Sequence, residues 1–382
     1  MRLLKSTVCV AEDRQACEPC LKLLVASLGL HCPQVPINLF YPIANEAFLR
    51  WVSAYPQVRL QTERLKNGYG WNVKPQAVMH LLDAGFDEVI WIDSDVLVTR
   101  DMRLLFQSLD DTVFVATEHT LAPERHDEMG LRARLWQLSV GRVLPEALSS
   151  GVLRVTRQHY RLMERWWELL QSDAYQSCQQ REWCKRPIHM LGDQDVLTAL
   201  LTSTEFTQVP LKILRRGKHI IQFDGVWGYT TFDRTRNLLG DGPTFIHSGA
   251  GKPWATRWEA ERSDNLRDYL KMAYLDVSPY TLSSIKFSGD LECDTGWMGA
   301  HYRLSSMLRL LAMQHPALSG LPMAILADIA RLIKRAHATL FRQKCVSQVP
   351  NARQESKGLH ERCRGDAGID ASQELVSPRC QD

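Results

Sequence analysis

Val89-Ile90-Trp91-Ile92-Asp93-Ser94-Asp95-Val96-Leu97 contains a short apolar run that ends abruptly in two carboxylates one residue apart. It is rich in β-branched and aromatic residues and follows the turn-like Gly85-Phe86-Asp87-Glu88, so it reads as a buried strand. In an open α/β sheet, ligands collect beyond the carboxyl ends of the strands. Asp93 and Asp95 at such an end offer hard oxygen ligands to a divalent cation. Mn²⁺ (or Mg²⁺) is held by one or two carboxylates together with substrate phosphates. The pair therefore points to a nucleotide-diphosphate substrate bridged to the protein by metal. Taken alone the triplet is weak, because Asp at a strand end is also an ordinary turn residue.

Outward from this run, strands and helices alternate. Thr7–Val10 reads as a first strand, followed by a helix to about Leu30. Pro36–Phe40 is a second strand, Glu46–Ala54 a helix, Val58–Leu60 a short strand, and Lys74–Ala84 a helix that feeds the Asp93 strand. This alternation implies a largely parallel, doubly wound sheet. Beyond Asp95 come a strand at Val113–Ala116, a charged segment from Glu118 to Gly130 that reads as a mobile lid, and a strand at Ser150–Val155. Trp166 and Trp167 fall at helical spacing from Leu162, Met163, Leu169 and Leu170, which marks packing in preference to a sugar platform.

The chain of 382 residues suffices for one large α/β domain with an appendage. A net charge of +3 and no nucleic-acid signature argue against a nucleic-acid partner. Met1–Val10 lacks the apolar core of a signal peptide, and no stretch is long and apolar enough to span a bilayer. A cytoplasmic location is the default expectation, with the ten cysteines mostly reduced. Cys17-x-x-Cys20 lies in a helical pattern without a second close pair, and reads as helix cysteines in preference to a zinc or redox site. In Leu321–Arg342 an apolar stripe (Ile325, Ile329, Leu332, Ile333, Ala336) is flanked by Arg331, Lys334, Arg335 and Arg342. Such a helix either packs on the catalytic domain, the reading slightly preferred, or lies peripherally on an anionic inner membrane face. Residues 303–313 have a similar character. The expected division is a catalytic domain over 1–260, an acceptor-side extension over 261–302 whose Tyr280 and Trp297 would line an acceptor cleft, basic amphipathic helices over 303–343, and a disordered tail over 344–382.

Two further segments converge on the Asp pair. Leu191-Gly192-Asp193-Gln194-Asp195-Val196-Leu197 puts an acid–amide–acid cluster at a helix start, where Asp193 either caps the helix or faces a sugar. Thr244-Phe245-Ile246-His247-Ser248-Gly249-Ala250-Gly251-Lys252-Pro253-Trp254 delivers a histidine, small residues and a lysine. Imidazole ligates metals, glycines let backbone N–H groups approach phosphates, and the lysine adds positive charge.

With Ser150-Gly151-Val152-Leu153, these motifs occur in an order and spacing that resembles the family 8 glycosyltransferases, the group that includes glycogenin and lipopolysaccharide galactosyl- and glucosyltransferases. The resemblance covers roughly residues 5–260. It implies a GT-A nucleotide-diphospho-sugar transferase fold (α/β, Rossmann-like, mostly parallel sheet) with a helical C-terminal extension. It also implies a nucleotide-sugar donor, usually UDP-linked, Mn²⁺, a glycan or lipid-linked acceptor, and retention of anomeric configuration. Carried over by position, Asp93, Asp95 and His247 are the metal ligands, and Lys252 and Gly249 the diphosphate contacts. Asp193 and Gln194 face the donor sugar. Lys74, Ser94, Glu12 and Asp13 fall at donor-binding positions, the last two at the base end.

Three departures stand out. Ser149 replaces the usual asparagine before the Ser-Gly pair, no aromatic follows the first strand to stack on the base (Glu12-Asp13-Arg14-Gln15), and the His247–Lys252 interval is one residue shorter than in some bacterial members. A sugar-1-phosphate nucleotidyltransferase would need a Gly-rich loop after strand one, and Ala11–Glu18 contains no glycine. A non-catalytic nucleotide-sugar binder or scaffold on the same fold is the remaining alternative.

Overall fold

The computed structural model describes residues 5–65, 68, 70–122, 125–225, 228–249, 251–255, 266–292 and 295–333. Ten strands lie among them: β1 (Ser6–Ala11), β2 (Ile37–Phe40), β3 (Val58–Gln61), β4 (Glu88–Ile92), β5 (Val96–Val98), β6 (Phe114–Glu118), β7 (Leu148–Thr156), β8 (Leu211–Leu214), β9 (Ile220–Phe223) and β10 (Phe245–Ser248). The helices are α1 (Glu18–His31), α2 (Glu46–Val52), α3 (Lys74–Asp83), α4 (Arg103–Phe106), α5 (Leu131–Leu135), α6 (Tyr160–Leu170), α7 (Asp173–Gln179), α8 (Asp193–Thr202), α9 (Thr231–Leu239), α10 (Leu266–Asp276), α11 (Pro279–Ser284) and α12 (Arg303–Leu311).

Seven strands form the main sheet in the order β3-β2-β1-β4-β7-β6-β8. All its pairings are parallel except those of β7, which runs antiparallel to β4 and β6. The mixed α/β class with a mostly parallel, Rossmann-like sheet is therefore the observed one. β4 shows how the faces are made: Val89 and Trp91 point to one core, Ile90 and Ile92 to the other. The first core takes Val78 and Leu82 of α3, Trp166 of α6 and Leu197 of α8. The second takes Leu21, Leu24 and Val25 of α1 and Phe48 of α2. Burial on both faces explains why Val89–Ile92 of β4 is apolar throughout.

The apolar run ends at the carboxylates, as the sequence reading has it. β4 stops at Ile92, Asp93-Ser94-Asp95 turns the chain (the Val96 N–H donates to the Asp93 carbonyl at 3.1 Å), and β5 starts a second sheet of order β5-β10-β9. A third core joins that small sheet to α10, α11 and the far side of α1. Cys20 and Leu23 of α1 pack there, with Cys17 of the turn that precedes it, so α1 is covered on two sides and both cysteines are packing residues. Tyr280 and Trp297 are buried in the same cluster, away from the cavity described below. The described free thiols are Cys9, Cys17, Cys20, Cys32 and Cys178, whereas Cys184 is disulfide-bonded.

Residues 321–333 are helical. The helix docks through Ala324 and through Asp328, whose Oδ2 accepts the Thr231 N–H at 2.8 Å at the start of α9. Ile325, Ile329, Leu332 and Ile333 are left exposed, so the stripe itself does not pack on the domain as the sequence reading preferred. The rest of the expected helix and the 344–382 tail lie outside the described residues. No helix among the described residues is long and apolar enough to cross a membrane.

Candidate active site

β1 has β2 on one side and β4 on the other, so the winding reverses between β1 and β4 and a crevice opens at their carboxyl ends. A cavity of about 560 Å³ lies there, a size suited to a small-molecule ligand. Glu12, Asp13, Lys74, Asp93, Ser94, Asp95, Asp193, Gln194, His247, Gly249 and Lys252 all line it.

Ligand atoms of Asp93, Asp95 and His247 lie within 4.8 Å of one another. The Asp93 N–H donates to the Gly151 carbonyl at 2.9 Å, and its Oδ1 accepts the Trp91 indole N–H at 2.7 Å. His247 Nδ1 is 2.7 Å from Gln222 Oε1, which can only accept, so the proton sits on Nδ1. Gln222 is itself fixed, because its Nε2 donates to the Glu118 carbonyl at 3.1 Å. Nε2 of His247 is thereby left as a lone pair 3.2 Å from Asp95 Oδ1. Two acceptors facing each other, with a second carboxylate alongside, fit a divalent cation, and the mixed carboxylate–imidazole set suits Mn²⁺. Burial alone would raise the Asp95 pKa, but the Lys252 ammonium bonded to Asp95 reverses this and holds the carboxyl well below its ordinary range. The Ser-Gly pair has a steric reason: a Cβ on Gly151 would meet His247 Cε1 and Nδ1 at 3.0 Å.

Lys74 joins this site to the helix α8 cluster. Its Nζ lies 3.0 Å from Asp93 Oδ1 and 3.2 Å from Asp193 Oδ2, and donates to Ser150 Oγ at 2.7 Å. Ser150 Oγ donates in turn to Asp193 Oδ2 at 2.8 Å. Burial raises the Asp193 pKa more than Lys74 lowers it, so the net shift is upward. Ser149, where the resemblance implies an asparagine, turns inward and accepts the Gly151 N–H at 3.2 Å.

Gln194 meets a residue that sequence reading named only as part of a charged segment. The Thr120 N–H donates to His119 Nδ1 at 2.7 Å, so the ring proton is on Nε2. Nε2 sits 2.9 Å from the terminal amide of Gln194, which must therefore offer its oxygen there and turn its NH₂ away. Burial, then Arg125, pushes the His119 pKa well down, and the ring stays neutral.

At the base end, Glu12 is fully engaged. It accepts Ser94 Oγ at 2.6 Å and the Arg14 guanidinium at 2.8 Å on both oxygens. Burial opposes these bonds, but Arg14 prevails and the Glu12 pKa is lowered. Asp13 Oδ2 accepts the Gly70 N–H at 3.1 Å. Gly249 donates its N–H to the Phe223 carbonyl at 3.0 Å, in the β9–β10 pairing. Trp71 brings an aromatic to the cavity from the turn before α3, a position that nothing local marks.

The Glu118–Gly130 segment is tied down at its described end. Arg132 Nε donates to Asp195 Oδ1 at 2.9 Å, Arg132 Nη1 lies 3.3 Å from Asp127 Oδ1, and Arg125 faces Asp195 at 3.4 Å. Asp195 thus anchors the segment to α8, and Gly192 N–H caps it at 3.1 Å. Arg125 and Trp183 also line the cavity, and both were missed. The signal for Arg125 is spatial, since it lies 70 residues along the chain from Asp195, whereas Trp183 lies close before Gly192 and nothing local marks it.

No protein-family model matches the chain, and a search of curated proteins finds no match. Solved structures similar to it include the bifunctional glycosyltransferase WbbM without ligand (14% identity, TM-score 0.41, 66% of this chain and 47% of that one). Another is the galactosyltransferase LgtC in complex with donor and acceptor sugar analogues (17% identity, TM-score 0.41, 67% and 90%). A third is the glycosyltransferase GlyE of Streptococcus pneumoniae (13% identity, TM-score 0.42, 78% and 62%). The chain spans about half the length of WbbM. Identities and scores of this size carry no activity across, so the chemistry has to come from the site itself.

Proposed function

We propose that the protein is a metal-dependent glycosyltransferase that moves a hexose from a nucleotide-diphosphate sugar, a UDP-hexose, to a hydroxyl of a glycan or lipid-linked acceptor, with retention. One observation carries this reading: Asp93, Asp95 and His247 converge, with Lys252 beside them, in a cavity that also holds Asp193 and Gln194. Asp93, Asp95 and His247 would hold Mn²⁺ (or Mg²⁺), which supplies Lewis-acid neutralisation of a departing diphosphate. Lys252 adds a positive charge at the same point. Asp193 is held by Lys74 and Ser150 in one orientation towards the cavity, where it orders sugar hydroxyls.

Gln194 is a poor nucleophile, and Asp193 already accepts two bonds on Oδ2. A front-face displacement therefore suits retention: the bond from the sugar to phosphate breaks, the departing phosphate takes the acceptor proton, and the acceptor oxygen bonds the sugar on the same face. Asp193→Asn retaining most of its turnover would argue against an essential carboxylate. The exposed apolar stripe of Ile325, Ile329, Leu332 and Ile333 supports peripheral contact with an anionic membrane at its cytoplasmic face, with Lys334, Arg335 and Arg342 of the sequence, and not the Asp328-paired Arg331, as the basic partners. Binding to anionic but not neutral vesicles, lost when Ile329 and Leu332 become serine, is the expected result.

The deciding experiment is nucleotide release from a panel of UDP- and GDP-sugars, with Mn²⁺ and then with chelator, in wild type and Asp95→Asn. Release from one donor that needs metal and vanishes in the variant is expected. Donor binding without release, across many acceptors, would favour the non-catalytic binder. No nucleotide binding at all would overturn the metal–donor site.

A further inference from the structure

Arg125 is 8% exposed, yet its guanidinium is under-used. Nη1 lies 3.5 Å and 3.4 Å from the two Asp195 oxygens, long for a charge-assisted bond. Asp195 is already served by Arg132 at 2.9 Å and by the Gly192 N–H at 3.1 Å. Nε and Nη2 of Arg125 have no acceptor among the described residues, and the side chain lines the cavity. It is kept in place by stacking: its guanidinium carbon lies 5.7 Å from the centroid of the Trp183 ring, which lines the same cavity.

The neighbours of this corner are neutral or paired with an opposite charge, except Arg186, which lies 5.6 Å from the same Trp183 ring and donates to the neutral oxygens of Gln179 and Leu191. His119 is a neutral ring bonded to Gln194, and Asp193 is bonded to Lys74. A buried arginine whose Nε and Nη2 meet no acceptor among the described residues, and whose ion pair to Asp195 is long and shared with Arg132, matches the geometry of a carboxylate or phosphate. The metal ligands and Lys252 meet the donor diphosphate elsewhere in the cavity, so Arg125 is not needed for it. We infer that Arg125, seated on Trp183 beside Gln194, recognises an anionic oxygen group carried by a sugar, so that the substrate class is an acidic sugar. This rests on the nucleotide-sugar reading above and adds a specificity-determining residue to it. The anionic group belongs either to the transferred sugar or to the acceptor, and one experiment has an arm for each.

In the first arm, UDP-galactose and UDP-galacturonate, and the matching gluco pair, are titrated with Mn²⁺ into wild type, Arg125→Gln and Arg125→Lys. UDP with Mn²⁺ alone is titrated in parallel. In the second arm, UDP release from a donor that turns over is measured with methyl glucoside, glucuronate and a hexose phosphate as acceptors. The expected result is a preference of wild type for the anionic sugar in one arm, roughly 10- to 100-fold, as for hydrogen bonds to charged groups. That preference falls towards unity in Arg125→Gln and is partly kept in Arg125→Lys. A wild type with no preference in either arm overturns the inference without any variant having to fold. Equal losses for neutral and anionic sugars in Arg125→Gln overturn it too. If UDP with Mn²⁺ fails to bind wild type, the nucleotide-sugar reading falls and this inference with it, whereas UDP binding without preference removes the acidic subsite alone.

Discussion

His247 donates its Nδ1 proton to Oε1 of Gln222 at 2.7 Å, and so keeps the Nε2 lone pair turned towards Asp95. Gln222 touches no candidate metal ligand except this ring, but it sets the tautomer. Gln222→Leu removes the acceptor at constant size. Metal affinity is expected to drop about 10- to 100-fold with little change in fold, as for lost outer partners of metal-bound histidines. Mn²⁺ titration by calorimetry reads the affinity and circular dichroism the fold. Unchanged Mn²⁺ affinity would remove His247 from the ligand set.

Gly151→Ala tests the same ring from the other side. The added Cβ would sit 3.0 Å from two atoms of His247, so the ring has to shift. The expected cost is about 1–3 kcal/mol of stability in urea unfolding, together with weaker Mn²⁺ binding. Full stability with full binding would mean that the ring accommodates the methyl group freely.

Lys74→Met leaves the Asp93 and Asp193 carboxylates without the ammonium they share. Breaking a buried charge pair this way costs roughly 3–5 kcal/mol. Asp193 already titrates above its ordinary range because of burial, and without Lys74 it is raised further. A raised carboxyl favours folding at low pH, so the deficit of Lys74→Met shrinks as pH falls from neutral into the acid range. Adding Asp193→Asn should recover part of the loss at pH 7. Urea unfolding at two pH values checks both statements.

His159 and His189 are both pushed down to about 4, chiefly by burial. Above their ordinary value of 6.5 both states are neutral and nothing is lost. As pH falls from there towards 4, the unfolded chain takes up protons that the folded chain refuses, and stability decreases. Protonated His159 can no longer accept the Thr156 N–H that caps the turn before α6. The loss is at most about 3 kcal/mol for each ring. Melting temperatures across this interval should fall with pH, and a flat profile would count against neutral buried rings.

Much of the frame was legible in the chain. The strands β1 to β4 and the helices α3 and α8 announce themselves by local period and composition, and the motif residues sit at their ends. The second sheet did not, because Val96-Leu97-Val98 follows the apolar run closely and only the backbone turn at Asp93–Asp95 separates it from β4. The antiparallel direction of β7 is equally invisible, since alternation of side chains is the same in either direction.

By itself the sequence determined the α/β class, the order of the elements and the chemical types gathered at the strand ends, all of which depend on neighbours a few residues apart. The tertiary structure alone decided which groups meet: Lys74 between Asp93 and Asp193, Gln222 under His247, His119 against Gln194, Arg125 on Trp183. The physical reason is that tautomers, shared charges and unused donors are properties of contacts between distant segments. Those contacts exist only once the two sheets and α8 have been brought together.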